Sequence, residues 1–103
     1  MAMDRPYTVL HAPAVAGQLE RALQWWAAHR DKAPGLLAHE IERALDLIGA
    51  APELGQRATT RRFGRLHRML LPRTKYHLYY RIIEAELRVE LVLFRQAQKQ
   101  PLR

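Results

Sequence analysis

The chain contains no cysteine among its 103 residues. That absence excludes a disulfide framework, a thiolate metal site and a cysteine nucleophile. No stretch approaches the roughly 20 consecutive apolar residues that a membrane span requires. The segment from Met1 to Leu10 carries Asp4 and Arg5 before only a short apolar run, so it lacks the apolar core of a signal peptide and a cytoplasmic protein is expected. Internal repeats, low-complexity tracts, Walker loops, dinucleotide fingerprints and serine elbows are all missing. The five histidines, His11, His29, His39, His67 and His77, are scattered without a familiar ligand spacing, so neither a metal nor a cofactor is expected. Only a hairpin could bring His67 and His77 together.

Acidic residues are scarce in one half of the chain. Residues 57–103 hold twelve basic residues against Glu84, Glu86 and Glu90, a net charge of +9, whereas residues 1–56 carry a net charge of −2. Such a field attracts polyanions and acidic surfaces and speeds their association. A solvated basic face would serve solubility alone, but arginine outnumbers lysine fourteen to three. Guanidinium forks match carboxylate and phosphate better than solubility demands.

With 49% hydrophobic and 26% charged residues the composition is that of a globular domain. A chain this long has room for one core, since domains usually take about 100 to 150 residues. Residues 1–95 are expected to form that domain and 96–103 a tail. Tyr7-Thr8-Val9-Leu10 reads as a short strand, ended by Pro13. Val15, Leu19, Ala22, Leu23 and Trp26 then recur at helical spacing over 13–30, and Leu37, Ile41, Ala44, Leu45 and Ile48 do so in a second helix opened by Pro34-Gly35 and closed by Gly49. Two helices so close in sequence form an antiparallel hairpin that must cover a sheet. Adjacent Trp25 and Trp26 point about 100° apart, so one enters the core and the other covers an edge.

Pro52-Glu53-Leu54-Gly55 is turn chemistry, and 56–62 reads as an arginine-rich loop. Three strand-length runs follow, 63–71, 76–84 and 87–95, joined by turns at Pro72–Lys75 and Ala85-Glu86. The expected fold is therefore α+β, β-α-α-β-β-β, with the helical hairpin packed on a mainly antiparallel sheet that ends in a three-stranded meander. Tyr76, Leu78, Tyr80 and Ile82 fall on one face of the middle strand, and His77, Tyr79, Arg81 and Ile83 on the other. In the last strand Leu87, Val89, Leu91 and Leu93 are expected on the helix face, opposite Arg88, Glu90, Val92 and Phe94. Strand pairing would gather Arg65, Arg68, Arg81, Arg88 and Arg95 into a basic patch beside Tyr79. Such a patch steadies a phosphodiester transition state, grips nucleic acid or receives an acidic peptide.

The order of elements, with Leu45 and Ile48 leading into Ala51-Pro52-Glu53-Leu54-Gly55, Arg68 before Tyr76-His77-Leu78-Tyr79-Tyr80-Arg81, and the run Val89 to Arg95, resembles the ParE/RelE toxin superfamily over nearly the whole chain. The resemblance implies the toxin of a type II toxin–antitoxin pair, bound as a hetero-oligomer by an acidic, partly disordered cognate antitoxin. RelE-like members are ribosome-dependent mRNA endonucleases with clustered basic residues. Their constellation would fall on His77, Arg68, Arg81 and Arg95 here. It is incomplete: Leu70 replaces a lysine, His77 an arginine, and no tyrosine follows Tyr80. ParE-like members bind DNA gyrase and need no such set, and the Pro-Glu-Leu-Gly turn and the Tyr-Arg end of the middle strand are more similar to theirs. Gyrase inhibition is thus the first expectation, with mRNA cleavage and a non-toxic antitoxin-binding homologue as alternatives.

Overall fold

A computed structural model describes residues 5–97. Strand β1 (Thr8–His11) leads into helix α1 (Pro13–His29) and helix α2 (Leu36–Ala50). A 3-10 turn over Pro52–Leu54 follows, then β2 (Gln56–Thr60), β3 (Gly64–Leu71), β4 (Tyr76–Ile83), a second 3-10 turn over Glu84–Glu86, and β5 (Arg88–Gln96). The fold class is α+β as expected from the sequence. The strands form one sheet in the order β1-β5-β4-β3-β2, antiparallel except for β1 and β5, which run parallel. Among the described residues no helix is long and apolar enough to cross a membrane.

Both helices turn their apolar stripes to one face of the sheet. Val15 and Trp26 of α1 and Leu37, Ile41, Ala44 and Ile48 of α2 are buried there against Tyr76, Leu78, Tyr80, Val89, Leu91 and Phe94. Pro13 occupies the first turn of α1, where its missing N–H removes nothing the helix would use. The two tryptophans divide as their spacing requires. Trp26 is buried and donates its indole N–H to the Ala33 carbonyl at 2.9 Å, while Trp25 stays exposed, stacked on His29 with ring centres 4.3 Å apart.

Two expectations are corrected. Residues 56–60 are not loop but the edge strand β2, paired antiparallel with β3 from Gln56↔Arg68 to Thr60↔Gly64. Its outward polar side chains hide it from any apolar periodicity. The second correction concerns β5. Its register with β4 jumps between Tyr79↔Leu93 and Tyr80↔Leu91, so Val92 is an extra residue in the strand, a β-bulge. Beyond it the faces exchange: Phe94, not Leu93, enters the helix-side core, while Leu93 packs with Val92 and Tyr79 on the other side. Leu87 lies outside the strand, half exposed in a left-handed conformation at φ 48°. Of the expected tail, Gln96 pairs with Tyr76 as the last residue of β5, Ala97 follows in a turn and donates to the Lys75 carbonyl at 2.7 Å, and 98–103 lie outside the described residues.

Two side chains complete the frame. β1 ends at His11, paired with Leu91, and Gln18 of α1 accepts the Phe94 N–H at 2.8 Å past the end of that ladder. At the β3–β4 turn the buried Glu40 carboxylate accepts the backbone N–H groups of Arg73 and Thr74 at 3.0 and 2.8 Å and the Thr74 hydroxyl at 2.7 Å.

Candidate functional site

The sheet face away from the helices is open. Strand alternation and register place Arg68 of β3, His77, Tyr79 and Arg81 of β4, and Arg88 and Arg95 of β5 on this face. The Val92 bulge puts Arg95 there; simple alternation would have sent it, with Leu93, to the helix side. Arg65 has the opposite parity and stands on the other face of the sheet, so the expected five-arginine patch divides four to one.

The four are not equivalent. Arg81 pairs with Glu90 at 3.3 Å and Arg88 with Glu86 at 2.7 Å. Arg68 and Arg95 have no carboxylate within 4 Å among the described residues, and both act on Tyr79. Arg95 donates to the Tyr79 hydroxyl at 3.4 Å with its guanidinium carbon 5.2 Å from the ring centre. Arg68 sits opposite Tyr79 in the β3–β4 register and is steadied by Gln56, whose side-chain oxygen accepts from two of its nitrogens at 3.4 and 3.3 Å. A patch of Leu66, Tyr79 and Val92, flanked by Ala58, Phe63 and Leu93, forms the floor beneath these cations. The β2–β3 turn supplies Arg61 and Arg62 to the same open cleft of about 510 Å³. These two cations join the site without any sequence signal, because the turn that carries them has no apolar periodicity to show where it points.

Burial pushes the Tyr79 phenol up, but hydrogen bonds from Arg95 and Arg68 and their charges outweigh it and hold the group below its ordinary value of 10.0. His77 lies edge-on to the Tyr79 ring at 5.8 Å, opposite Arg95 in the register. Its burial and the nearby Arg68 and Arg95 charges lower its pKa from 6.5, so the imidazole is neutral at pH 7. Tyr80 does not belong here. It is fully buried on the helix side, donates to the Pro52 carbonyl, and burial with the Glu53 charge pushes it up to about 12 against a Gly55 N–H that lowers it. His67 stacks on Tyr80 on that side, so His67 and His77 lie on opposite faces of the sheet.

Chemically the cleft offers four guanidiniums over an apolar floor. That suits an anionic macromolecule with some apolar surface. Tyr79 is only 3% exposed, its ring under Arg95 and its hydroxyl engaged, so it serves as the platform that orients the arginines. No protein-family model and no curated protein matches the chain.

Proposed function

We infer that the chain is the toxin component of a ParE/RelE-like type II toxin–antitoxin pair, acting in the cytoplasm by binding DNA gyrase through the open sheet face, and neutralised by an acidic, partly disordered antitoxin. The convergence of Arg68 and Arg95 on Tyr79, without a carboxylate among the described residues to neutralise them, carries this reading. Cations left uncompensated over an apolar floor await a counter-charge from outside. The order of elements and the Pro-Glu-Leu-Gly turn, which resemble the ParE-like branch, support the same view.

Binding is preferred to catalysis because cleavage of RNA requires a base for the ribose hydroxyl and an acid for the leaving oxygen. Tyr80 is buried on the wrong face and Tyr79 is covered. His77 alone stays available for proton transfer. A poison needs only a surface that favours one state of its target enzyme over the others.

Partner-free protein is expected to inhibit gyrase supercoiling or accumulate cleaved DNA while leaving ribosome-bound mRNA intact. Replacing Arg68 and Arg95 together by alanine should abolish the inhibition. Codon-positioned mRNA cuts with unaffected gyrase would reverse the assignment. The depressed pKa of His77 favours that second reading, for a neutral imidazole is a competent base at pH 7. In that case the cleavage rate would rise with pH through a midpoint below 6.5 and collapse in His77→Ala.

A further inference from the structure

The β2–β3 hairpin stands apart from the rest of the sheet. β2 pairs with β3 over the whole of Gln56–Thr60, but the β3–β4 ladder begins only at His67. Among the described residues the distal half of the hairpin, 58–66, is therefore a two-stranded ribbon with no third strand hydrogen-bonded to it, its one apolar side, Ala58, Phe63 and Leu66, packed on Tyr79, Val92 and Leu93. It lies within a stretch, residues 54–83, that has seven arginines, one lysine and no aspartate or glutamate.

The arginines stand on both sides of this ribbon. Arg57 pairs in register with His67, and Arg65 lies two residues from His67 along β3, so both belong to the helix-side parity, beyond the cover of the helices. Both are exposed, and with Thr59 and His67 they line a hollow of about 640 Å³. On the opposite side Arg61 and Arg62, both exposed at the turn, line the open cleft with Arg68. Gly64 makes the tight turn possible at φ 72°, a backbone conformation that costs glycine little.

We propose that this ribbon is a binding element for duplex DNA, inserted into the major groove with its two arginine rows on the phosphates of the two strands. An acidic peptide lying on the open face would meet one row and leave the other unpaired. Two anionic rails on either side of a slot match both rows at once. The major groove of B-form DNA, about 12 Å wide, admits a two-stranded β-ribbon. The deep, narrow major groove of A-form RNA does not. The inference shares Arg61 and Arg62 with the open cleft but requires no toxin activity.

Fluorescence anisotropy of the purified full chain with a labelled 20-base-pair DNA duplex, across a salt series from 50 to 200 mM, tests it. The logarithm of the binding constant should fall linearly with the logarithm of salt concentration, with a slope near −0.9 for each phosphate engaged, and an RNA duplex of the same sequence should bind at least tenfold more weakly. The variants Arg57→Ala/Arg65→Ala and Arg61→Ala/Arg62→Ala, each checked for an unchanged thermal melt, should each make the slope shallower by about 2, because each removes two contacts from one row. Arg57→Lys/Arg65→Lys should keep most of the slope. Equal affinity for duplex RNA, a slope altered by only one of the two alanine pairs, or tighter binding of poly-glutamate than of DNA would overturn the proposal. So would an absence of binding at 50 mM salt.

Discussion

At the scale of single residues, one contribution to stability comes from a buried charge. Glu40 is buried, and it holds the Arg73 and Thr74 amides together with the Thr74 hydroxyl. Its burial pushes the carboxyl up, but those hydrogen bonds, with the Arg73 charge, outweigh burial and hold it below 4.5. A carboxyl lowered on folding stabilises above its unfolded pKa and loses that contribution as pH falls through the folded value. Urea denaturation of the wild type should accordingly show Glu40's contribution complete at pH 6 and declining below about pH 4.5. Glu40→Ala, which strands the buried amide and hydroxyl of Thr74 and the part-buried amide of Arg73, should cost about 3 kcal/mol near neutrality, and Glu40→Gln should flatten the acid limb. Arg68 and Arg81 are the opposite case. Arg81 has an exposed carboxylate partner and Arg68 a glutamine, so alanine at either should change stability by less than about 1 kcal/mol while weakening target or antitoxin binding. A variant of either that unfolds would make these arginines part of the fold.

Among the elements, the Pro52–Leu54 turn shows what a short motif is for. Gly55 follows it against the Tyr80 hydroxyl, and a Cβ at Gly55 would lie 2.0 Å from that oxygen. The same hydroxyl donates to the Pro52 carbonyl, so the turn is fastened to the centre of β4 and delivers the chain into β2. Gly55→Ala should destabilise by about 3 kcal/mol through this overlap and Tyr80→Phe by about 1 to 2 kcal/mol through the lost hydrogen bond. Measured by thermal melts, the double variant should cost less than the two together, because removing the hydroxyl removes the nearest clash; strict additivity would show that they do not share a contact. The helices and the β4 alternation were legible in the sequence because each carries one apolar side. β2 was not, since Gln56, Arg57 and Thr59 are exposed and an edge strand of that kind has no hydrophobic period to read. The Val92 bulge was equally silent: it lies in an apolar run, Leu91 to Phe94, in which either parity satisfies a core.

For the whole molecule, strand order turns a charge difference along the chain into one across space. β1 and the helices carry most of the acidic half to one side, and β4, β3 and β2 carry the arginines outward to the other. The candidate site was half legible for the same reason. Alternation along β3 and β4 was enough to join Arg68 to His77 and Tyr79, whereas Arg95 reaches them only through a bulge, and Arg61 and Arg62 only through a strand that looked like a loop. A one-sided field has a kinetic consequence. The proposed acidic antitoxin would be drawn first to the arginine-rich side, so opposite charge should act mainly on the association rate. Raising ionic strength from 0.01 to 0.1 M shortens the screening length from about 30 to 10 Å. Stopped-flow mixing of the chain with its acidic partner should then show association slowing by about tenfold or more, with dissociation changed far less. Reversing the field locally, with Arg61→Glu/Arg62→Glu, should lower the low-salt rate toward the high-salt one, since the encounter is guided by the turn that projects farthest from the acidic half. An association rate indifferent to salt would mean that the arginines take no part in capture.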